Sequence, residues 1–264
     1  MRPNPVKAKL RAGKPVVGTW LTLGSVPAAR FLARAGFDYL TVDAEHNAIG
    51  IETAAACFAA VADAGGVPLC RVPGNRHDHI KRALDTGAHG VVVPMVNTRE
   101  EAEAAVSACL YPPKGTRSVG GAVHALNWGA TPADYYARID QEVLIVLQCE
   151  HIDAVRDFDR VFSVPGVDAV FVGPNDLMAS MRAPDGSPPA AEVFRQTLAD
   201  ILAGGKRIGV PVGIHTFSLP EAQAKLADGW QFVAVASELK FMTEGAAAVV
   251  RGLGLGGGGE AVRY

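Results

Sequence analysis

The sequence predicts a single-domain α/β protein folded as a (β/α)8 barrel, the TIM-barrel architecture. Three observations carry that expectation. Eight short apolar runs recur along the chain, Ala-rich segments with helical apolar spacing separate them, and polar clusters follow several runs, where strands would end. The length of 264 residues suits one barrel of this kind. A doubly wound open sheet is the competing arrangement, but its GxGxxG first turn is missing, since Thr22-Leu23-Gly24-Ser25 does not supply it.

In chain order the predicted strands cover 16–21, 39–43, 68–72, 90–96, 143–150, 169–173, 211–215 and 232–236. Helical spacing is clearest over 51–64, 100–109, 190–203 and 220–227, and Gly36, Gly65, Gly87 and Gly229 stand where helices would stop. Residues 111–140, with Pro112-Pro113 and Gly120-Gly121, read as a long functional loop, a lid or a subunit contact. Residues 182–189 read as a Pro/Gly turn. The barrel domain is expected over 1–252, followed by a flexible Gly-rich tail over 253–264.

Hydrophobic residues make up 49% and charged residues 20% of the chain, as in soluble globular proteins. A formal charge of −2 offers no basic surface for nucleic acid or an anionic membrane. The four cysteines share no CxxC spacing and read as buried free thiols in a reducing compartment. Residues 1–11 are polar and hold Pro3 and Pro5, which does not fit a signal peptide. No apolar stretch reaches the roughly 18–20 residues of a membrane span. The expected location is cytoplasmic.

In a βα barrel the chemistry lies at the C-terminal ends of the strands. Asp43, Glu45 and His46 end the second predicted strand, Arg71 the third, Gln148 and Glu150 the fifth, and Asn175 and Asp176 the sixth. Glu150 and Asp176 are the candidate metal ligands, two carboxylates that suit Mg²⁺, Mn²⁺ or Co²⁺ with water and substrate oxygens completing the shell. Either acid could instead cap the helix that follows it. His46 is the candidate proton carrier, because histidine titrates near neutral pH, although a surface histidine is the plain alternative. Arg71 offers forked geometry to a carboxylate or enolate oxygen, with a structural ion pair as its alternative. His215 ends the seventh strand as a substrate-contact candidate, and Asp85 by itself reads as a solvated charge. No lysine sits inside a strand or at the end of strand five or six, which disfavours a Schiff-base mechanism.

Several of these motifs together resemble the HpcH/HpaI aldolase family of metal-dependent (class II) pyruvate aldolases. They are Asp43-x-Glu45-His46, Arg71-Val72-Pro73, Lys114-Gly115-x-Arg117-x-x-Gly120, Gln148-x-Glu150 and Gly173-Pro174-x-Asp176-Leu177, in register from Gly18 to about Gly252. The resemblance implies reversible aldol cleavage of a 4-hydroxy-2-oxo acid into pyruvate and an aldehyde. It implies metal at Glu150 and Asp176 with Gln148 in support, and Arg71 on the pyruvate oxygen that becomes the enolate. It further implies proton transfer by His46, with Asp85 arriving from an adjacent subunit, and Trp20 lining the pocket. Backbone amides near Pro174, Asn175 and Asp176 would hold the carboxylate, and the last helix would pack on a neighbour in a homo-oligomer, commonly a hexamer or else a trimer.

Asn47, His215-Thr216 and Ser237-Glu238-Leu239-Lys240 depart from the family pattern. The metal and pyruvate half therefore matches, and the aldehyde half differs. Two rival readings stand beside the aldolase: an acyl-CoA lyase of the malyl or citramalyl type, which needs a basic nucleotide groove, and a non-catalytic metabolite-binding barrel.

Overall fold

The computed structural model of the chain describes residues 1–255. Eight parallel strands follow one another around a closed barrel, and the last returns to pair with the first. The chain opens with α1 (Pro5–Arg11), β1 (Val16–Leu21), α2 (Val26–Leu32), β2 (Tyr39–Asp43), α3 (Ile51–Asp63), β3 (Pro68–Arg71), α4 (His77–Asp85) and β4 (Gly90–Val93). Next come α5 (Arg99–Cys109), α6 (Val123–Asn127), α7 (Pro132–Glu142), β5 (Leu144–Gln148), α8 (Ile152–Arg156), α9 (Phe158–Phe162) and β6 (Ala169–Val172). The chain continues through α10 (Pro174–Ser180), α11 (Ala191–Ile208), β7 (Val212–Thr216), α12 (Leu219–Asp228), β8 (Phe232–Ser237) and α13 (Glu238–Gly252). Of the predicted tail, residues 256–264 lie outside the described residues.

Alternation along each strand sorts the side chains into two cores. Val16, Tyr39, Leu69, Val92, Leu144, Val146, Phe171 and Phe232 turn inward and fill the barrel. Leu40, Val42, Cys70, Ile145, Leu147, Val170, Val172 and Ile214 turn outward and pack under the helices. Every strand is buried on both faces, so these runs read as continuous β-branched or aliphatic stretches. The fourth strand is shorter than its apolar run suggests. It stops at Val93, before Pro94, which has no N–H to continue the ladder.

The polar segment 1–11 holds α1. Asn4 caps α1 by accepting from the Val6 and Lys7 amides, Pro5 sits in its first turn, and Val6 and Leu10 join the barrel interior from below. Residues 111–140 are not one long loop. Thr131 caps α7, and Arg117, Trp128 and Tyr135 are fully buried, so this stretch packs as part of the helical layer. All four cysteines are free and buried, and burial pushes Cys57 up to about 11 and Cys70 up to about 12. Among the described residues no helix is long and apolar enough to cross a membrane.

His89 marks where this packing depends on pH. Its ring stacks on Trp128 at 3.9 Å and its Nε2 lies 3.1 Å from the Asn127 carbonyl. Burial depresses its pKa from 6.5 to about 3. Between those values the unfolded chain takes a proton that the folded chain refuses. Stability is therefore expected to fall as pH drops below about 6.5, by at most ~1.4 kcal/mol per pH unit from this group. Denaturant unfolding between pH 7 and 4 checks this, and His89→Asn should flatten the slope.

Candidate active site

The inward positions at the C-terminal strand ends carry polar chemistry where the lower layers carry hydrocarbon. Trp20 from β1, Asp43 from β2, Arg71 from β3, Gln148 from β5 and His215 from β7 surround a cavity of about 400 Å³, which His46, Pro174, Asn175 and Asp176 also line. A second cavity, of about 500 Å³, opens at the other end of the barrel beside Lys7 and Asp168. Those two groups neutralise each other there at 2.8 Å.

Arg71 is fixed by a fork. Its Nε donates to Asp43 Oδ1 at 2.8 Å and its Nη2 to Asp43 Oδ2 at 2.7 Å, while Glu45 lies 3.3 Å from Nε. Burial pulls the Asp43 carboxyl upward, but the guanidinium outweighs it and holds the group below its usual range. The amides of Glu45 and His46 and the Asn47 side chain also donate to Asp43, which ties the whole 43–47 turn to this pair. Nη1 makes no hydrogen bond among the described residues and remains available to a ligand. The guanidinium lies 4.5 Å over the Trp20 ring.

Glu150 is 2% exposed and accepts from the Met95 amide at 2.7 Å and from Gln148 Nε2 at 2.6 Å. Met95 takes φ of 53°, a strained backbone for a non-glycine residue that aims its N–H at the carboxylate. Burial, reinforced by Asp176 and Glu45 and opposed by the Met95 amide, pushes Glu150 up to about 7. Burial also raises Glu45. Gly173 makes room for this arrangement, since a Cβ there would stand 2.5 Å from Glu150 Oε2.

These residues fit a hard divalent cation. Besides burial, Asp176 and Glu45 both raise the Glu150 carboxyl, beside a guanidinium already paired with Asp43. Gln148 must present Nε2 to Glu150, so its Oε1 is left buried without a partner. Two carboxylates and a neutral amide oxygen are the donor chemistry of Mg²⁺ or Mn²⁺. Among the described residues no three His, Cys, Asp or Glu side chains form a ready-made metal cluster.

His215 is fixed as well. The Trp20 indole donates to its Nδ1 at 3.0 Å. Burial, with Arg71 and Lys240 nearby, lowers its pKa to about 4, so the ring is neutral. His46 is largely exposed at the cavity mouth, 3.6 Å from Glu45. Asp176, in the first turn of α10, is exposed at the same mouth.

Asp85 is not in this cavity. α4 runs from the top of β3 back towards the start of β4, so its last residue lies at the opposite end of the barrel. There the fully buried Arg117 holds Asp85 Oδ1 at 2.7 Å and donates to the Tyr135 hydroxyl at 3.0 Å.

Sequence reasoning passed over Asp43 as a site residue, although alternation from Thr41 places it on the same face as Arg71. It also passed over Glu238, which is 5% exposed and accepts from the Leu23 amide at 2.7 Å and the Thr22 hydroxyl at 3.0 Å. No local pattern marks a helix-start glutamate as the anchor of a loop more than 200 residues away in sequence.

A closed (β/α)8 barrel with carboxylates, an amide and one forked arginine at its C-terminal mouth carries its polar cavity where barrels of this fold place their active sites. Residues 17–244 match the family model described as HpcH/HpaI aldolase/citrate lyase, and the chain belongs to that family. It is 39% identical over 232 residues to a hydroxypyruvate/pyruvate aldolase of Sagittula stellata, covering 88% of this chain and 90% of that protein. It is 35% identical over 255 residues to a 4-hydroxy-2-oxo-heptane-1,7-dioate aldolase of Shigella sonnei, covering 95% of each. A solved HpcH/HpaI aldolase/citrate lyase family protein from Burkholderia cenocepacia superposes with a TM-score of 0.85 at 32% identity, covering 95% of this chain and 99% of that one.

Asp43→Asn leaves the Arg71 charge without its bidentate partner and is expected to lower unfolding stability by about 3 kcal/mol, read from denaturant midpoints. Gly173→Ala is expected to displace Glu150 and weaken Mn²⁺ binding at least about tenfold, with a native circular dichroism spectrum retained.

Proposed function

We propose that this chain is a divalent-metal-dependent pyruvate aldolase that reversibly cleaves a 4-hydroxy-2-oxo acid into pyruvate and an aldehyde. The observation that carries this reading is one cavity lined by Arg71, Gln148 and Asp176, with the buried Glu150 held by Gln148 at 2.6 Å. The named relatives above, matched over nearly their full length, support it.

Glu150 and Asp176 would hold the ion, which supplies Lewis-acid stabilisation of negative charge on the 2-oxo group. The substrate carboxylate rests against the backbone at Pro174, Asn175 and Asp176. Arg71 Nη1 donates to the keto oxygen, and the Asp43 fork keeps the guanidinium plane in place as charge grows there. His46 takes the proton of the 4-hydroxyl. The C3–C4 pair then moves onto the oxo-acid fragment as the enolate, and C4 leaves as the aldehyde carbonyl. Protonation at C3 gives pyruvate. Trp20 packs against the substrate stem and excludes water from the enolate. Oxaloacetate passes through the same enolate on losing CO₂, so slow decarboxylation is an expected side activity.

The same reading makes the protein a homo-oligomer, hexamer or trimer, in which Asp85 completes a neighbour's site. Only Glu238 of α13 is buried, while Met242, Val249 and Val250 on that helix and Val119, Val123 and Leu126 in the 117–127 stretch are exposed apolar side chains.

Pyruvate C3 hydrogen–deuterium exchange, followed by NMR on EDTA-stripped protein, is expected only after Mn²⁺ or Mg²⁺ is restored. Exchange that is equally fast without metal would remove the ion from the mechanism. His46→Ala is expected to lose aldol cleavage by about 10²–10⁴-fold, and full cleavage activity in that variant would end the proton-transfer role.

A further inference from the structure

The cavity of about 500 Å³ at the foot of the barrel shares no lining residue with the C-terminal mouth. Its walls come from α1 and the turn after it, from the last turns of α11, and from the residues that lead into β6, β7 and β8. Leu10, Val167, Leu202 and Val212 give it a hydrocarbon side. Lys7, Arg11, Asp168, Lys206 and Gln231 give it a polar one. A cleft of this size and make-up suits a small organic molecule with a charged group.

The polar side is built around a buried ion pair. Lys7 is 5% exposed, and its Nζ donates to the Val143 carbonyl at 2.6 Å and lies 2.8 Å from Asp168 Oδ2. The same Oδ2 accepts from the Ile145 amide at 2.9 Å. These contacts use two of the three Lys7 donors and leave one over. Asp168 Oδ1 has no hydrogen-bond partner among the described residues.

Two further cations are uncompensated. Arg11 and Lys206 have no ion-pair partner among the described residues, and Arg11 makes only a long contact with the Gln141 carbonyl at 3.5 Å. Their neighbours on the same two helices, Lys9 and Arg207, are paired with Asp38 and Asp159. Three cations thus face one carboxylate, which leaves two positive charges in the cleft of a chain whose formal charge is −2. Gly13 and Gly209, at φ of 69° and 72°, turn the chain there, and nothing lies within 4 Å of where either would carry a Cβ. The space beside the cations is open.

We propose that this cleft is a second ligand site, for a small phosphate monoester that also carries a hydroxyl group. A phosphate monoester approaches two negative charges at neutral pH, which matches the two uncompensated cations. Arg11 offers it a planar fork, and Lys206 and the spare Lys7 donor offer charge-assisted hydrogen bonds. The ligand hydroxyl donates to Asp168 Oδ1, and the carbon skeleton rests on the Leu10 and Val212 side. A monocarboxylate there would leave one cation unmatched. The inference is independent of the chemistry at the mouth and of the aldolase reading.

The test is isothermal titration of glycerol 3-phosphate into the Mg²⁺-loaded protein, with and without saturating pyruvate. A Kd below about 1 mM is expected, and the same value in both conditions. Methyl phosphate, which lacks the hydroxyls, should bind several-fold more weakly, and so should succinate. Arg11→Met and Lys206→Met alter exposed side chains and should keep a native circular dichroism spectrum. Each is expected to weaken glycerol 3-phosphate at least about tenfold, while Lys206→Arg retains it. Unchanged affinity in both Met variants, loss of binding when pyruvate is added, or no binding at millimolar concentration would overturn the site. Succinate binding as tightly as glycerol 3-phosphate would overturn the phosphate assignment.

Discussion

The bidentate pair between Asp43 and Arg71 orders the whole mouth of the barrel. Through it β2 fixes the guanidinium of β3, the guanidinium fixes the Trp20 ring of β1, and the indole fixes His215 on β7. Each link is directional: a fork, a stacked face, then a donor that cannot accept. Four strands distant in sequence thus share one rigid polar layer above a hydrocarbon core, and each contact limits the freedom of the next. Such a chain suits transition-state charge, because its dipoles are set before the substrate arrives.

The same layer is unbalanced in charge. Asp43 is neutralised by Arg71, but Glu45, Glu150 and Asp176 share only the remainder of that cation, and burial raises the carboxyls of Glu150 and Glu45. Burying carboxylates without partners costs several kcal/mol each. A divalent cation bound there would offset that cost, and the unpartnered Gln148 oxygen is a donor it could use. Stability and chemistry therefore make the same demand on the site. Two strained residues mark where the backbone has been bent to meet it: Met95, which delivers an amide to Glu150, and Ala236, which turns β8 towards Lys240.

Much of this was legible in the residues. Strands such as Val16–Leu21 and Tyr39–Asp43 coincide with their apolar runs because a barrel buries both strand faces and terminates in polar residues. Arg71, Gln148, Glu150 and Asp176 stand out for the same reason, as charge or amide at the end of hydrocarbon. The 111–140 stretch misled because Pro and Gly dominate local pattern, while its order comes from burying Arg117, Trp128 and Tyr135 against distant elements. Helix α1 in residues 1–11 left no sequence signal, because two apolar side chains, Val6 and Leu10, are too few to show a helical period. The tautomer of His215 lies beyond any sequence pattern, since it depends on a tryptophan 195 positions away.

The most direct test of the account is calorimetric titration of Mn²⁺ into metal-stripped protein, comparing wild type with Glu150→Gln and Asp176→Asn. The account predicts one ion per chain in the wild type and an affinity at least about a hundredfold weaker in each variant, with the fold retained. Undiminished Mn²⁺ affinity in either variant would contradict it, and so would a wild-type protein that binds no ion at all.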